Sequence, residues 1–230
     1  MRLVLFDIDG TLLWTDGAGR RAIHAALTEF FGSTGPADYW FDGKTDPQIV
    51  RDLMRGAGHG EAHIDARMAP LFARYVERLH DELRTSAHVA RALPGVPALL
   101  DALEARPDVT LGLLTGNLVE GARAKLRAVG IDPARFRVGA YGSDHEHRPA
   151  LPAIAQRRAR DELGLDIAGT DLVVIGDTPA DIECALSVEA RSIGVATGRF
   201  AAGELRRHGA SAVFDDLTDT AAVVRAITDA

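Results

Sequence analysis

The stretch LVLFDIDGT, residues 3–11, decides the fold of this chain. Its first four residues are all apolar, which is typical of a strand that is buried on both faces of a parallel sheet. Asp7 and Asp9 follow this strand directly. Because ligands bind at the carboxyl ends of the strands in an open α/β sheet, we expect both carboxylates to belong to a functional site.

Apolar runs of the same kind recur along the chain, at residues 109–114, 136–140, 172–175, 192–195 and 212–214. Helical patterns alternate with them, at residues 96–106, 119–129, 151–163, 180–188 and 220–227. A regular succession of strands and helices produces right-handed βαβ units, with helices on both faces of the sheet. The pattern therefore predicts an α/β fold, a Rossmann-like three-layer sandwich with a central parallel sheet.

One interval, residues 16–86, breaks this rhythm. It contains no strand-like run, and loops rich in Gly and Pro separate three helical patterns at residues 19–31, 47–55 and 64–83. We expect an all-helical domain over residues 16–86, inserted after the first strand into a core made of residues 1–15 and 87–230. Such an insertion would lie over the sheet edge where the first strand ends.

The composition excludes several classes of protein. The 230 residues include 33 Asp and Glu against 26 Lys and Arg, a net charge of −7, which argues against nucleic acid as a partner. No run of about 18 apolar residues occurs, and Asp7 interrupts the apolar N-terminus, so neither a membrane span nor a secretory signal is expected. The single cysteine, Cys184, fits a reducing compartment. We expect a cytoplasmic protein, monomeric or homodimeric, that has no membrane partner.

Two further strand ends carry polar residues. The run at 109–114 leads into Thr115-Gly116-Asn117 just before a helix, where a hydroxyl and free helix N-terminal amides suit phosphate. The run at 172–175 leads into Asp177 and Asp181, and Pro179 at the start of the next helix places Asp181 in its first turn.

Carboxylates that converge at strand ends repel one another unless a hard cation lies among them, and Mg²⁺ prefers such oxygen ligands. An arginine, Arg148, opens another helix after a strand and its loop. Metal, cation and amides together neutralise a transferring phosphoryl group. The residues therefore predict a Mg²⁺ site that serves phosphoryl transfer.

The motif at residues 7–11, the one at 115–117 and the one at 176–181 resemble motifs one, two and four of the haloacid dehalogenase superfamily. The helical insertion resembles the type one cap of that superfamily. Within it, the chain is most similar to phosphoglycolate phosphatase-like hydrolases. The resemblance implies hydrolysis of a small phosphorylated metabolite, with phosphoglycolate as the first candidate.

The resemblance also implies a role for each matched residue. Asp7 would be the nucleophile that forms an aspartyl-phosphate, and Asp9 would protonate the leaving oxygen and then deprotonate water. The metal ligands would be Asp7, the backbone carbonyl of Asp9, Asp177 and, nearby, Asp181. The phosphoryl oxygens would be bound by Thr115, Gly116 and Asn117.

One position departs from the family pattern. Motif three is usually a lysine, whereas Arg148 stands at its place; a guanidinium supplies the same charge and its planar fork reaches carboxylate and phosphate together. The alternative source of charge is Lys125. It lies nearly two turns into a helix, from which we expect its side chain to point away from the site.

Specificity is expected from the loop that contains Lys44 and Thr45, which would face the leaving group together with Arg20, Arg21 or Arg51. The alternative interpretation is that this loop is only a turn and a helix N-cap.

Two other functions stay open. A sugar-phosphate mutase resembling β-phosphoglucomutase would return the phosphoryl group to a second hydroxyl. A non-catalytic binding module would keep the fold without turnover.

Overall fold

The structure of the chain is a computed structural model that describes residues 1–229. Its strands are β1 (Arg2–Phe6), β2 (Leu13–Trp14), β3 (Arg91–Ala92), β4 (Val109–Thr115), β5 (Val138–Tyr141), β6 (Leu172–Gly176), β7 (Arg191–Val195) and β8 (Ala212–Phe214). Its α-helices are α1 (Ala18–Phe31), α2 (Asp46–Gly56), α3 (Glu61–Thr85), α4 (Val96–Glu104), α5 (Val119–Ala128), α6 (Leu151–Leu163), α7 (Pro179–Leu186), α8 (Ala202–Arg207) and α9 (Thr220–Thr228). None of these helices combines the length and the apolar character that a membrane crossing requires.

Six of the strands form one sheet, in the order β5-β4-β1-β6-β7-β8, and every neighbouring pair is parallel. β1 lies in the interior, with Phe6 opposite Leu113 of β4 and Ile175 of β6. These three strands therefore end side by side, and the residues that follow them meet at one edge of the sheet. The predicted Rossmann-like sandwich is confirmed.

The residues of β1 alternate between the two faces of the sheet. Val4 and Phe6 pack in a cluster with α4, α5 and α9, whereas Leu3 and Leu5 pack in a cluster with α6 and α7. All four side chains are fully buried, and each such burial contributes roughly 1.5–3 kcal/mol. Helices on both faces explain why the apolar run of β1 is uninterrupted.

Helices α1, α2 and α3, which we call the cap, form an apolar cluster of their own. Leu118, just before α5, and Ala124, on α5, belong to the same cluster. The cap is therefore packed against the core as well as connected to it. The helices lie where the sequence predicts an all-helical insertion, and the boundaries of that domain stay a prediction.

A small antiparallel sheet joins the two connections between cap and core. Leu13 pairs with Ala92, and Trp14 pairs with Arg91. The sequence analysis missed both strands because two residues are too few to show the alternation that marks a strand.

Candidate active site

Three buried carboxylates meet at the carboxyl edge of the sheet. Asp7 follows β1, Asp177 follows β6, and Asp181 lies in the first turn of α7. One oxygen from each lies within 4.8 Å of the others. The parallel register of β1 and β6 brings the first two together, and Pro179 at the start of α7 turns the third toward them.

Arg148 lies beside this cluster, in a short 3₁₀ turn before α6. Its Nη2 donates to Asp181 Oδ1 at 2.6 Å and lies 3.1 Å from Asp7 Oδ1. The side chain is only 5% exposed, and its Nε has no partner within residues 1–229. The guanidinium therefore contacts the predicted nucleophile from within the site.

The cluster carries more negative charge than Arg148 neutralises. Burial raises the pKa of Asp7 to about 6 although Arg148 lowers it, and the charge of Asp181 adds to the rise. Burial, together with the neighbouring carboxylates, raises the pKa of Asp177 well above its ordinary value. Burial opposes the charge of Arg148, but Asp181 and Asp7 outweigh it and raise the pKa of the guanidinium. Three carboxylates face one guanidinium, so a divalent cation would balance the cluster.

The donor set of the cluster fits Mg²⁺, which proteins bind through oxygen ligands. The backbone packs closely against Asp177 Oδ2, because a Cβ at Gly10 would lie 2.4 Å from this oxygen and a Cβ at Gly198 would lie 1.8 Å from it, so only glycine fits at both positions. Asp181 is more heavily engaged than the other two carboxylates. Its Oδ1 accepts from Arg148, and its Oδ2 accepts from the backbone N–H and the hydroxyl of Thr178.

Asp9 lies on the other side of the site, against a second cation. Its Oδ2 accepts from Lys125 Nζ at 2.6 Å and from Asn117 Nδ2 at 2.8 Å. The expectation that Lys125 points away from the site is wrong. Helical side chains lean toward the N-terminus of their helix, and the long lysine stem carries its ammonium back from the middle of α5 to Asn117.

The loop between β4 and α5 presents the predicted phosphate-binding residues to the same space. Thr115 Oγ1 accepts from Asn117 Nδ2 at 2.8 Å, so its own proton is left to donate elsewhere. Gly116 passes directly under the cap, where its carbonyl accepts from the Asp46 N–H at 2.7 Å and a Cβ would lie 2.0 Å from the Lys44 carbonyl oxygen. Only glycine fits at this contact.

A cavity of about 470 Å³ unites these groups. Its lining includes the following predicted site residues: Asp7, Asp9, Lys44, Thr115, Gly116, Asn117, Arg148 and Asp177.

The sequence model of the haloacid dehalogenase-like hydrolase family matches residues 4–186. The matched segment spans the site from Asp7 to Asp181. The chain belongs to the haloacid dehalogenase-like hydrolase family. No curated protein matches the chain.

Solved structures share the fold of this hydrolase over nearly its full length. A hydrolase from Pseudomonas syringae is 23% identical, with a TM-score of 0.72 and 99% of each chain covered. A predicted phosphoglycolate phosphatase from Haemophilus somnus is 20% identical, with a TM-score of 0.68, 97% of this chain and 98% of that chain covered. CbbY from Rhodobacter sphaeroides, solved in complex with phosphate, is 21% identical, with a TM-score of 0.63, 95% of this chain and 96% of that chain covered.

The two loop residues that the sequence predicts to face the leaving group, Lys44 and Thr45, have different surroundings in the structure. Lys44 lines the cavity, and its Nζ lies 3.8 Å from the centre of the Tyr39 ring. Thr45 is fully buried: its hydroxyl accepts from the Gln48 N–H at the start of α2 and donates to the Glu146 carbonyl at 2.7 Å. The expectation that Thr45 reads the substrate is therefore corrected, and the alternative interpretation as an N-cap is confirmed for this residue.

The mouth of the cavity of this hydrolase holds Arg20, which the sequence predicts to lie near the leaving group, and Arg199, which the sequence analysis did not assign to the site. Arg199, which follows β7, lies 3.2 Å above the ring of Trp40, and Arg20 of α1 lies 4.3 Å from the ring centre of Phe41. All four residues line the cavity. The rule that ligands bind at strand ends also applies to the end of β7 and would have pointed to Arg199.

Proposed function

We propose that this hydrolase is a Mg²⁺-dependent phosphatase that hydrolyses a small phosphorylated metabolite through an aspartyl-phosphate on Asp7. The observation that carries the proposal is the pairing of two carboxylates in one cavity. Asp7 is buried against a guanidinium, and Asp9 is half-exposed against an ammonium. Two carboxylates in different environments suit a nucleophile and an acid–base group.

In the first half of the reaction, an Asp7 oxygen attacks phosphorus, and the bond between phosphorus and the leaving oxygen breaks. Asp9 gives its proton to that oxygen. In the second half, water attacks phosphorus and Asp9 accepts its proton. The bond between phosphorus and Asp7 breaks, which releases inorganic phosphate and restores both carboxyl groups.

The phosphoryl oxygens would be bound by Arg148, the Thr115 hydroxyl and the backbone amides of Gly116 and Asn117. These donors are fixed before the substrate arrives, so they stabilise developing charge at little cost in reorganisation. Asp7, Asp177 and the Asp9 backbone carbonyl would hold Mg²⁺, with Asp181 beside them. The bound ion supplies positive charge to the phosphoryl group and to the carboxylate cluster.

The leaving group would lie toward the mouth of the cavity, where Arg20, Lys44 and Arg199 lie. Lys44 and Arg199 have their carboxylate partners, Asp52 and Asp42, only at 3.9 Å. Cations with such loose partners favour a leaving group that is itself anionic, and phosphoglycolate is the first candidate. We infer that Lys44 contributes to this specificity.

A broad panel of phosphate esters, assayed with Mg²⁺ for kcat/KM, tests the proposal, with inorganic phosphate and isomeric products measured together. We expect sustained release of phosphate from anionic small esters, and no turnover by Asp7→Asn, which keeps the shape of the side chain without its nucleophilic charge. Formation of an isomer in place of phosphate would identify a mutase. An inert wild-type protein would favour a binding module, and normal turnover by Asp7→Asn would remove Asp7 as the nucleophile.

A further inference from the structure

Lys125 occupies a position that the proposed mechanism leaves without a role. Its Nζ donates to Asp9 Oδ2 and to Asn117 Oδ1, each at 2.6 Å, and the Asn117 amide donates to the same Asp9 oxygen. The three side chains form a closed triangle of hydrogen bonds. Asp9 Oδ1, by contrast, has no hydrogen-bond partner within the part of the chain that the structure describes.

Each of the three cap helices places one residue around this ammonium. A Cβ at Gly19 of α1 would lie 3.1 Å from Lys125 Nζ and 3.7 Å from the Tyr75 hydroxyl of α3. Asp46, the first residue of α2, is buried and attracts the Lys125 charge. The Lys125 side chain is only 6% exposed as a result. The cap therefore encloses the lysine from above while Asp9 and Asn117 hold it from the core.

An ion pair between a buried ammonium and a half-exposed carboxylate contributes little net stability, because desolvation of the ammonium offsets an attraction that water screens. A contribution to stability therefore does not explain why Lys125 pairs with Asp9. The pair instead restricts the Asp9 side chain. Lys125 and Asn117 both donate to Oδ2, and this determines where Oδ1 points.

We propose that Lys125 is a positioning residue, which holds the Asp9 carboxylate so that Oδ1 is the oxygen that exchanges the proton with the leaving group. The proposal rests on the phosphatase function proposed above. The two buried cations then have separate roles: Arg148 contacts the nucleophile Asp7, and Lys125 orients the acid Asp9.

The dependence of the rate on the leaving group tests this role. An alkyl phosphate such as phosphoglycolate needs a proton on its leaving oxygen, whereas p-nitrophenyl phosphate releases a stable phenolate and needs little acid catalysis. The parameter kcat/KM reports the steps up to the departure of the leaving group, so it isolates the half-reaction in which Asp9 is the acid.

For Lys125→Met we expect kcat/KM for the best alkyl phosphate to fall at least about 10-fold, and for p-nitrophenyl phosphate by less than about 3-fold. The ratio of the two losses does not depend on how much of the variant is folded. Arg127→Met, which removes an exposed cation from the same helix, is the matched control and should leave both values unchanged.

A double-mutant cycle shows whether Lys125 acts through Asp9. In an Asp9→Asn background, the further change Lys125→Met should cause no additional selective loss on the alkyl phosphate. Equal losses on both substrates, no loss on either, or a selective loss that persists without the Asp9 carboxylate would overturn the positioning role. A wild-type protein inert toward both substrates would instead overturn the phosphatase function itself.

Discussion

Arg148 contacts two carboxylates that have different tasks. Through one nitrogen, it touches the proposed nucleophile Asp7 and also Asp181, which in turn closes the first turn of α7 through Thr178. In the proposed function, the same side chain therefore links phosphoryl binding to the local fold, and we expect its removal to affect both.

We expect Arg148→Ala to lower kcat/KM at least about 100-fold and to destabilise the protein by about 3–5 kcal/mol, because it leaves buried carboxylates without their counter-charge. Arg148→Lys should recover much of the stability and only part of the activity, since an ammonium lacks the planar fork. Steady-state kinetics and chemical unfolding measure the two effects. Arg157→Ala, at an exposed position on α6, is the control. Nearly full turnover by Arg148→Ala would contradict the assignment.

At the scale of residues, the sequence was sufficient to bring Asp7, Asp9 and Asp177 together. Their positions follow from the rule that parallel strands end at one edge. Lys125 was misjudged because its place depends on the direction of a long side chain rather than on its helical position. Thr45 was misjudged because the same residue type serves as an N-cap and as a substrate contact, and only packing distinguishes the two.

The start of α2 is the element where cap and core meet most closely. The Asp46 N–H donates to the Gly116 carbonyl, and the Asp46 carboxylate accepts from the Leu118 N–H at 2.8 Å. Asp46 of the cap thus makes two hydrogen bonds to the loop that would bind phosphate, one to the residue before Asn117 and one to the residue after it. Burial raises the pKa of Asp46 to about 6, although Lys125 lowers it.

This shift predicts a pH dependence of stability. A carboxyl whose pKa is raised in the folded state adds stability at pH values below its unfolded pKa near 4, and that stability is lost as the pH rises through about 6. Relative to Asp46→Asn, the wild type should therefore lose on the order of 2–3 kcal/mol between pH 4 and pH 7. Chemical unfolding of both proteins at several pH values measures the difference. A difference that stays constant or grows with pH would contradict the burial of this carboxyl.

The elements that an apolar stripe or run marks follow from the sequence, and those without such a mark do not. α6 and β8 have the predicted bounds because apolar stripes and runs define them. α8 has only six residues and was not predicted, since so short a segment shows less than two turns of periodicity. The pairing of β2 with β3 depends on a contact between residues far apart in the chain.

In the whole molecule, apolar packing forms three clusters, one on each face of the sheet and one in the cap. Leu118 and Ala124 connect the cap to the core, while three carboxylates and one guanidinium lie together at the edge of the sheet. The net charge of −7 does not show where the acidic residues lie. What matters is that a few of the acidic residues are concentrated at one sheet edge.

We expect Mg²⁺ to stabilise the whole protein, because a cation that binds the folded cluster shifts the folding equilibrium. At a concentration 100 times its dissociation constant, the ion would add about 2.7 kcal/mol, which corresponds to a rise in Tm of roughly 5–10 °C for a chain of this size. Thermal unfolding with and without Mg²⁺ measures the rise. Asp177→Asn should unfold at nearly the same temperature in both conditions, and an equal rise in this variant would place the ion elsewhere.

The two tryptophans of the chain, Trp14 and Trp40, both line the active-site cavity and are 42% and 55% exposed. One belongs to the connection from the core and the other to the cap, with Arg199 stacked on the latter. Indole emission responds to local polarity and to neighbouring charge, so the tryptophan fluorescence of the entire protein originates at the mouth of the candidate active-site cavity. The hydrolase therefore carries a built-in optical reporter, with which ligand binding can be followed in real time in the unlabelled wild type.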